Sequence, residues 1–393
     1  MSESVVIVGA KRTPVGAFQG QFAGMTAPQL ASVAIKAAVE QAGVKGEDID
    51  EALMGCCLMA GVRQAPARQA VLGAGLPKSV PCTTLTKMCS SAQKTVMIAH
   101  DELLAGSVNI AVAGGMESMT NASHVLTSAC SGYRLGNGVL HDHMFLDGLE
   151  DAYEQGKPMG AFAELCVDKY GFTRDEMDAF ATESVTLAQN AVASGVFRDE
   201  IAPVTVSTRK GDVVCDSDET PMKCDVSKIS KLKPAFKRDG AVTPANSSSI
   251  SDGAAAFVLM RESDARTAGI TPLARIVGHA TFAHEPPWFT TAPVFAFEKL
   301  LKKVGWQTTD VDLWEINEAF AAVTMASMRD LKLPRDKVNV NGGACALGHP
   351  IGATGSRILV TLLYALKARG LKRGIAGLCA GGGEATAIAI EIL

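Results

Sequence analysis

A chain of 393 residues with 47% hydrophobic content can bury one large core or two medium ones, and no stretch approaches the ~20 uninterrupted apolar residues of a membrane span. A formal net charge of −4 gives no global attraction for nucleic acid, leaving only local basic patches for a phosphate-bearing ligand. Ten cysteines without CxxC spacing read as thiols, not as a disulfide framework or zinc site. Cys56, Cys57, Cys82, Cys130, Cys166, Cys215, Cys224 and Cys345 are expected to pack as small hydrophobes. The N-terminal MSESVVIVGAKR shows no signal or transit pattern and the final EIL is no peroxisomal address, so the expected location is cytoplasmic, with no membrane partner.

In chain order, SVVIVGA reads as a buried strand, APQLASVAIKAAVEQAG as a helix closed by Gly43, and EALMGCCL as a second strand. PCTTLT is β-like, CSSAQKTVMIAHDELLAG is a mostly apolar helix ending at Gly106, and NIAVAGG is the next strand. Strands alternating with helices favour an α/β fold with a mainly parallel, layered sheet. From about Met119 to Gly240 the texture changes to dense charge with isolated helical segments, read as an insertion that returns to the core through SDGAAAFVLM.

The second half echoes the first. Gly43 and Gly305, Asp48 and Asp310, and Asp50 and Asp312 are each separated by 262 positions, within KAAVEQAGVKGEDIDEALMG and KLLKKVGWQTTDVDLWEIN. Near the same offset LLAGSVNIAVAGGMES echoes LKARGLKRGIAGLCAGGGEA, and Cys89 falls opposite the neighbourhood of His349. Two similar halves would turn their strand-to-helix corners toward one site.

Four groups could meet there. Cys89 precedes a helix, where unpaired N–H groups and the dipole favour a thiolate. His349 lies in the glycine-dense NVNGGACALGHPIGATGSR, and nucleophile plus base is the minimal activated pair. Cys379 ends a strand before Gly381-Gly382-Gly383, whose N–H groups could turn toward an anion, and Asn317 offers a neutral amide in WEINEAFA.

The Cys89 segment, AGGMESM, NEAFA, NGGACALGHPIGATGSR and GLCAGGGEA together resemble the thiolase family, with order and spacing matched along essentially the whole chain. The resemblance implies a thiolase-like fold of two similar layered α/β/α halves: residues 1–118 with 246–270, and residues 271–393. An inserted loop domain at 119–245 would bind coenzyme A. It implies reversible condensation of two acetyl-CoA to acetoacetyl-CoA and CoA through an acetyl-Cys89 intermediate, with His349 taking the thiol proton and Cys379 exchanging the α-proton. One oxyanion site would be His349 with a water held by Asn317, the other the N–H groups of Cys89 and Gly381. Contacts to coenzyme A would come from Met159, Phe236, Ser248, Ala319 and Phe320. Coenzyme A is then a substrate, and neither a resident cofactor nor a metal is expected. Family members are dimers or tetramers, and a homotetramer is favoured here.

The chain departs from the family in two places. It reads Asn246-Ser247-Ser248-Ser249-Ile250-Ser251-Asp252-Gly253 where many members have N-A-S-G-L-N-D-G, and Pro158-Met159-Gly160 where many have His-Met-Gly. Pro221 takes the place of a tyrosine that holds potassium in some members, so no potassium site is expected. The loop PPWFTTAP resembles one that approaches the acyl pocket. Trp288 and Phe289 would close that pocket if they point inward and would not if they pack on the insertion, and Phe289 matches a residue of members that accept a 2-methyl branch. The alternatives are a broad-range 3-ketoacyl-CoA thiolase, a ketoacyl synthase, which would need a Cys-His-His site, and a non-catalytic CoA-binding relative. Ser91-Ala92-Gln93-Lys94 lacks the partner motifs of penicillin-binding enzymes, and His141-Asp142-His143 reads as a solvated loop without a third metal ligand.

Overall fold

A computed structural model describes residues 3–393. The first half runs β1 (Val5–Arg12), β2 (Gly16–Ala17), α1 (Ala27–Ala42), β3 (Glu51–Gly55), α2 (Pro66–Gly73), β4 (Cys82–Leu85), α3 (Ser91–Ala105) and β5 (Ile110–Ser118). Residues 119–250 leave the sheet as hairpins β6 (His124–Leu126) and β7 (Leu140–Asp142), helices α4 (Met159–Tyr170) and α5 (Arg174–Ser194), and strands β8 (Val204–Thr208) and β9 (Gly211–Cys215). The chain returns as β10 (Ser251–Arg261) and α6 (Glu262–Ala268). It continues through β11 (Ala274–Ala283), α7 (Ala292–Val304), β12 (Leu313–Ile316), α8 (Ala321–Leu331), α9 (Ala344–Leu347), α10 (Thr354–Arg369), β13 (Arg373–Ala380) and β14 (Glu384–Ile392).

The main strands lie in the order β12-β13-β14-β11-β1-β10-β5-β3-β4. The expectation of a mainly parallel sheet is wrong. Only β3 with β4 and β5, and β12 with β13, are parallel, while β10 pairs antiparallel with β1 and β5, and β14 with β11 and β13. The cause is connectivity. β13 and β14 are joined by the three glycines 381–383, too short for a crossover, and β10 comes back from the insertion to lie between β5 and β1.

The repeat is written into the backbone. Gly43 and Gly305 cap α1 and α7 at φ 68° and 71°, left-handed values that glycine adopts without a Cβ penalty. Asp50 Oδ2 accepts from the N–H groups of Asn109 and Ile110 at 2.7 and 3.1 Å, and Asp312 Oδ2 from those of Lys372 and Arg373 at 3.0 and 2.8 Å. The D-x-D pattern is therefore a tie between the start of one strand and its parallel neighbour. A bulge falls at Ile7/Gly9 in β1 and at Ile276/Gly278 in β11, where a Cβ on Gly9 would meet Ala38 O of α1 at 2.1 Å.

Strand alternation sorts the core. Val5, Ile7, Phe257, Leu259, Ile388 and Ile390 face α3 and α10, whereas Val6, Val8 and Val258 face α1 and α2, and Ala385, Ala387 and Ala389 face α7. The shared inner layer brings the starts of α3 and α10 together: Ser356 Oγ donates to Ala92 O at 3.1 Å, and a Cβ on Gly355 would lie 2.6 Å from Gln93 N. The corners carrying Cys89 and His349 thereby become neighbours. All ten cysteines are free; Cys56, Cys166, Cys215 and Cys345 are buried as expected, but Cys130 is exposed, because the segment between β6 and β7 has no core to enter. No helix among the described residues is long and apolar enough to cross a membrane.

Candidate active site

A cleft of about 460 Å³, lined largely by apolar side chains, opens where the two halves and the insertion meet. Cys89, His349, Cys379 and Gly381 line it, as do Met159, Phe236, Ser248, Phe289, Ala319 and Phe320. Of the catalytic and coenzyme A residues expected from sequence, Asn317 is the one not on its wall.

Cys89 sits on a tight corner between β4 and α3. Met88 holds φ 48°, a left-handed value uncommon outside glycine, and three bonds clamp it: Ser91 Oγ donates to Met88 O at 2.6 Å, Lys87 N donates to Ser91 Oγ at 2.7 Å, and Cys57 Sγ donates to Met88 O at 3.2 Å. The helix itself begins at Ser91, two residues beyond the cysteine. The expected thiolate is not the resting state. Burial pushes the Cys89 thiol up to about 11, outweighing the N–H groups of Gly381 and of Cys89 itself, which face the sulfur and favour its anion.

His349 is held in one tautomer. Thr354 Oγ1 gives its proton to Pro350 O at 2.9 Å, so at 2.6 Å it accepts from Nδ1–H of His349, leaving Nε2 as the lone-pair nitrogen. That Nε2 is buried and has no protein partner. Burial, with the Arg357 guanidinium adding to it, pushes the imidazole down to about 3, so it is neutral at physiological pH. Its backbone is pinned by His349 N donating to Ser249 O at 3.1 Å, and a Cβ on the preceding Gly348, at φ 103°, would strike Ser251 Oγ at 2.1 Å.

Cys379 is 1% exposed at the end of β13; burial and then the neighbouring Cys89 hold its thiol well above the ordinary range. Asn317, at the end of β12, anchors its N–H on Gly377 O at 3.1 Å, while both side-chain atoms are buried without a protein partner. A buried amide left this way is suited to hold a water.

Phe236 packs where only glycine fits beneath it, since a Cβ on Gly160 would lie 2.2 Å from its ring; Phe320 meets Phe236 edge-on at 6.2 Å and Phe289 at 6.4 Å. Ser248 Oγ donates to Ala319 O at 3.0 Å. The pair in PPWFTTAP divides: Phe289 lines the cleft, whereas Trp288 turns to the insertion, with Lys169 Nζ 4.5 Å above its ring.

Sequence reading missed three contributors. Residues 145–149 form a π-helical turn that supplies Phe145, Gly148 and Leu149 to the cleft. Thr354 fixes His349, and a hydroxyl five residues downstream is the only trace of it in the sequence. Glu117, fully buried, accepts from the N–H groups of Cys57, Leu58 and Gly352 at 3.0, 3.1 and 2.9 Å and so ties the Cys89 side of the site to the His349 turn. His143, expected in a solvated loop, is buried: Nδ1 meets Asp147 Oδ2 at 2.7 Å, and Nε2 accepts from Ala60 N at 3.3 Å.

The family model "Thiolase, N-terminal domain" matches residues 5–263 and "Thiolase, C-terminal domain" matches residues 270–392. An acetyl-CoA acetyltransferase of Chromobacterium violaceum is 49% identical over 390 residues, covering 98% of this chain and 99% of the relative. One of Allochromatium vinosum is 46% identical over 393 residues, covering all of both chains. The solved acetyl-CoA acetyltransferase of Bacillus anthracis superposes with a TM-score of 0.97 at 42% identity, covering 100% of this chain and 99% of that one. With both halves matched, the fold shared and the whole length aligned, the chain belongs to the thiolase family of acyltransferases.

Proposed function

We propose that the protein is an acetyl-CoA C-acetyltransferase, catalysing the reversible Claisen condensation of two acetyl-CoA to acetoacetyl-CoA and CoA in two half-reactions linked by acetyl-Cys89. The observation that carries this reading is the convergence of two cysteines and a neutral histidine with a free Nε2 on one apolar cleft. Acetyl-CoA acetyltransferase is also what the similar proteins are called.

In the first half-reaction Cys89 Sγ attacks the thioester carbonyl. Its proton passes to His349 Nε2 while the Cys379 thiol protonates the departing CoA sulfur, leaving an imidazolium and a Cys379 thiolate for the next step. A thiol with a pKa near 11 needs this acceptor, and an imidazole whose Nδ1–H is given to Thr354 supplies it. In the second half-reaction the Cys379 thiolate removes the α-proton of another acetyl-CoA, the carbanion attacks the acetyl-Cys89 carbonyl, and the C–S bond breaks as the Cys89 sulfur takes back the proton held on His349. The burial that raises the Cys379 thiol makes its thiolate a stronger base, suited to a weak C–H acid, and in the cleavage direction the thiol returns the proton. The developing oxyanions are served by protonated His349 with a water on Asn317, and by the N–H groups of Cys89 and Gly381. Both half-reactions balance without a redox cofactor or metal.

The insertion, 119–245, contributes Met159 and Phe236 to a coenzyme A groove completed by Ser248, Ala319 and Phe320. Phe289 limits acyl length, so kcat/KM for acetoacetyl-CoA should exceed that for 3-ketooctanoyl-CoA by at least about 10². A broad-range 3-ketoacyl-CoA thiolase is the second reading, favoured by the apolar wall of Met119, Leu149, Ile250 and Ile351 near Cys89. Thiolysis of the two substrates by free CoA, followed optically, decides: equal rates select the second reading, and no turnover of either leaves a non-catalytic CoA-binding relative. We place the enzyme in the cytoplasm as a homotetramer in preference to a dimer; the exposed Leu126, Leu135, Val139 and Leu140 around β6 and β7 suit self-association.

A further inference from the structure

On the far end of α3 a second group of ligating side chains converges. His100 Nδ1 and His279 Nε2 lie 3.0 and 2.9 Å from the same oxygen of Asp101, Oδ1, and the three atoms are all within 4.8 Å of one another. The imidazoles meet edge to face, centroids 5.0 Å apart at 90°, and both are nearly buried. Packing therefore holds their orientations. The Asp101 side chain is 61% exposed, so the point of convergence faces solvent.

We propose that His100, Asp101 and His279 form a binding site for a divalent transition-metal ion of the zinc type. A tetrahedral ion with bonds of about 2.0–2.2 Å to imidazole nitrogen and carboxylate oxygen sets its ligand atoms about 3.3 Å apart, so the two N···O spacings need to open by only a few tenths of an ångström, and the two nitrogens already lie within 4.8 Å of each other. The fourth position is left to water. Lys303, whose Nζ donates to His279 O at 3.1 Å, adds a positive charge that opposes the ion, so micromolar binding is expected. The site ties α3 to β11, and so joins the two halves of the chain. Asp101 stands about 15 Å along α3 from Ser91 by helical rise, so the site is independent of the catalytic reading.

The test is titration of the chelator-stripped, full-length protein with Co²⁺, which gives visible bands on binding and a near-ultraviolet charge-transfer band if thiolate binds it. The proposal expects one equivalent bound with a Kd in the micromolar range, no thiolate band, and at least a tenfold weakening in both Asp101→Asn and His279→Gln. Zinc at about a hundredfold excess over its Kd should also raise Tm by about 3 °C in the wild type and not in Asp101→Asn, a surface change that leaves the fold intact. No equivalent bound below about 100 μM, a thiolate band, or undiminished binding in Asp101→Asn would each overturn it.

Discussion

Replacing Glu117 with Gln should impair catalysis from a residue that need not touch substrate. One carboxylate oxygen accepts from Cys57 N and Gly352 N, and the other from Leu58 N and the Cys56 thiol. Glutamine keeps one acceptor oxygen, so its best rotamer retains the Cys57 and Gly352 bonds and turns its NH₂ on Leu58 N. A buried N–H left unpaired costs about 1–3 kcal/mol. Alanine would orphan three such groups, about 3–9 kcal/mol on the same scale against a typical total of 5–15, so glutamine is the informative change. The repulsion falls on Leu58 N, next to Cys57, which grips Met88 beside Cys89, and it pushes on the same side chain that holds Gly352, three residues from His349. A displacement of about 1 Å in such a site costs on the order of 10² in rate. Urea unfolding at pH 7 and steady-state thiolysis on the same preparation should give a loss of about 1–3 kcal/mol and a kcat lower by about tenfold to a hundredfold, with KM little changed. A Glu117→Gln enzyme of wild-type kcat and stability would refute the idea that this carboxylate joins the two corners.

Three other outcomes follow from the same geometry. Cys379→Ser should still take up an acetyl group from acetyl-CoA, whose thiolate leaving group needs little acid help, yet lose condensation by about 10² to 10⁴, measured by mass spectrometry and by turnover. Alkylation of Cys89 by iodoacetamide should quicken about tenfold per pH unit between pH 7 and 9: the folded thiol titrates near 11, so the reactive anion grows as pH rises, and a plateau below pH 8 would contradict that resting state. Phe289→Ala should raise kcat/KM for 3-ketooctanoyl-CoA relative to acetoacetyl-CoA by at least tenfold, while an unchanged ratio would remove Phe289 as the wall of the acyl pocket.

What could be read from sequence was local and repeated. Gly43 with Gly305 and Asp50 with Asp312 are caps and strand ties whose residue types follow from backbone demands, so their common offset exposed the two halves before any coordinates. Strand direction was not legible, because β10 and β14 owe their antiparallel places to a long return from the insertion and a three-glycine hairpin, neither visible in helix and strand periodicity. The strand-to-helix corner of Cys89 is legible in the sequence, but its protonation is not: the dipole argument uses only α3, whereas desolvation depends on every element around the cleft. Trp288 and Phe289 could not be separated, since adjacent bulky residues in a 3₁₀ turn point to different neighbours. The roles of Glu117 and Thr354 rest on partners far away or on a hydroxyl's single proton, and single-sequence patterns carry neither.

The most direct test of the account is to mix the enzyme with acetoacetyl-CoA without free CoA, quench in acid, digest and map the acetyl group. The account predicts one acetyl per active chain on the peptide carrying Cys89, absent in Cys89→Ala and discharged when CoA is added before the quench. An acetyl group on Cys379 alone, or turnover by Cys89→Ala at the wild-type rate, would contradict it.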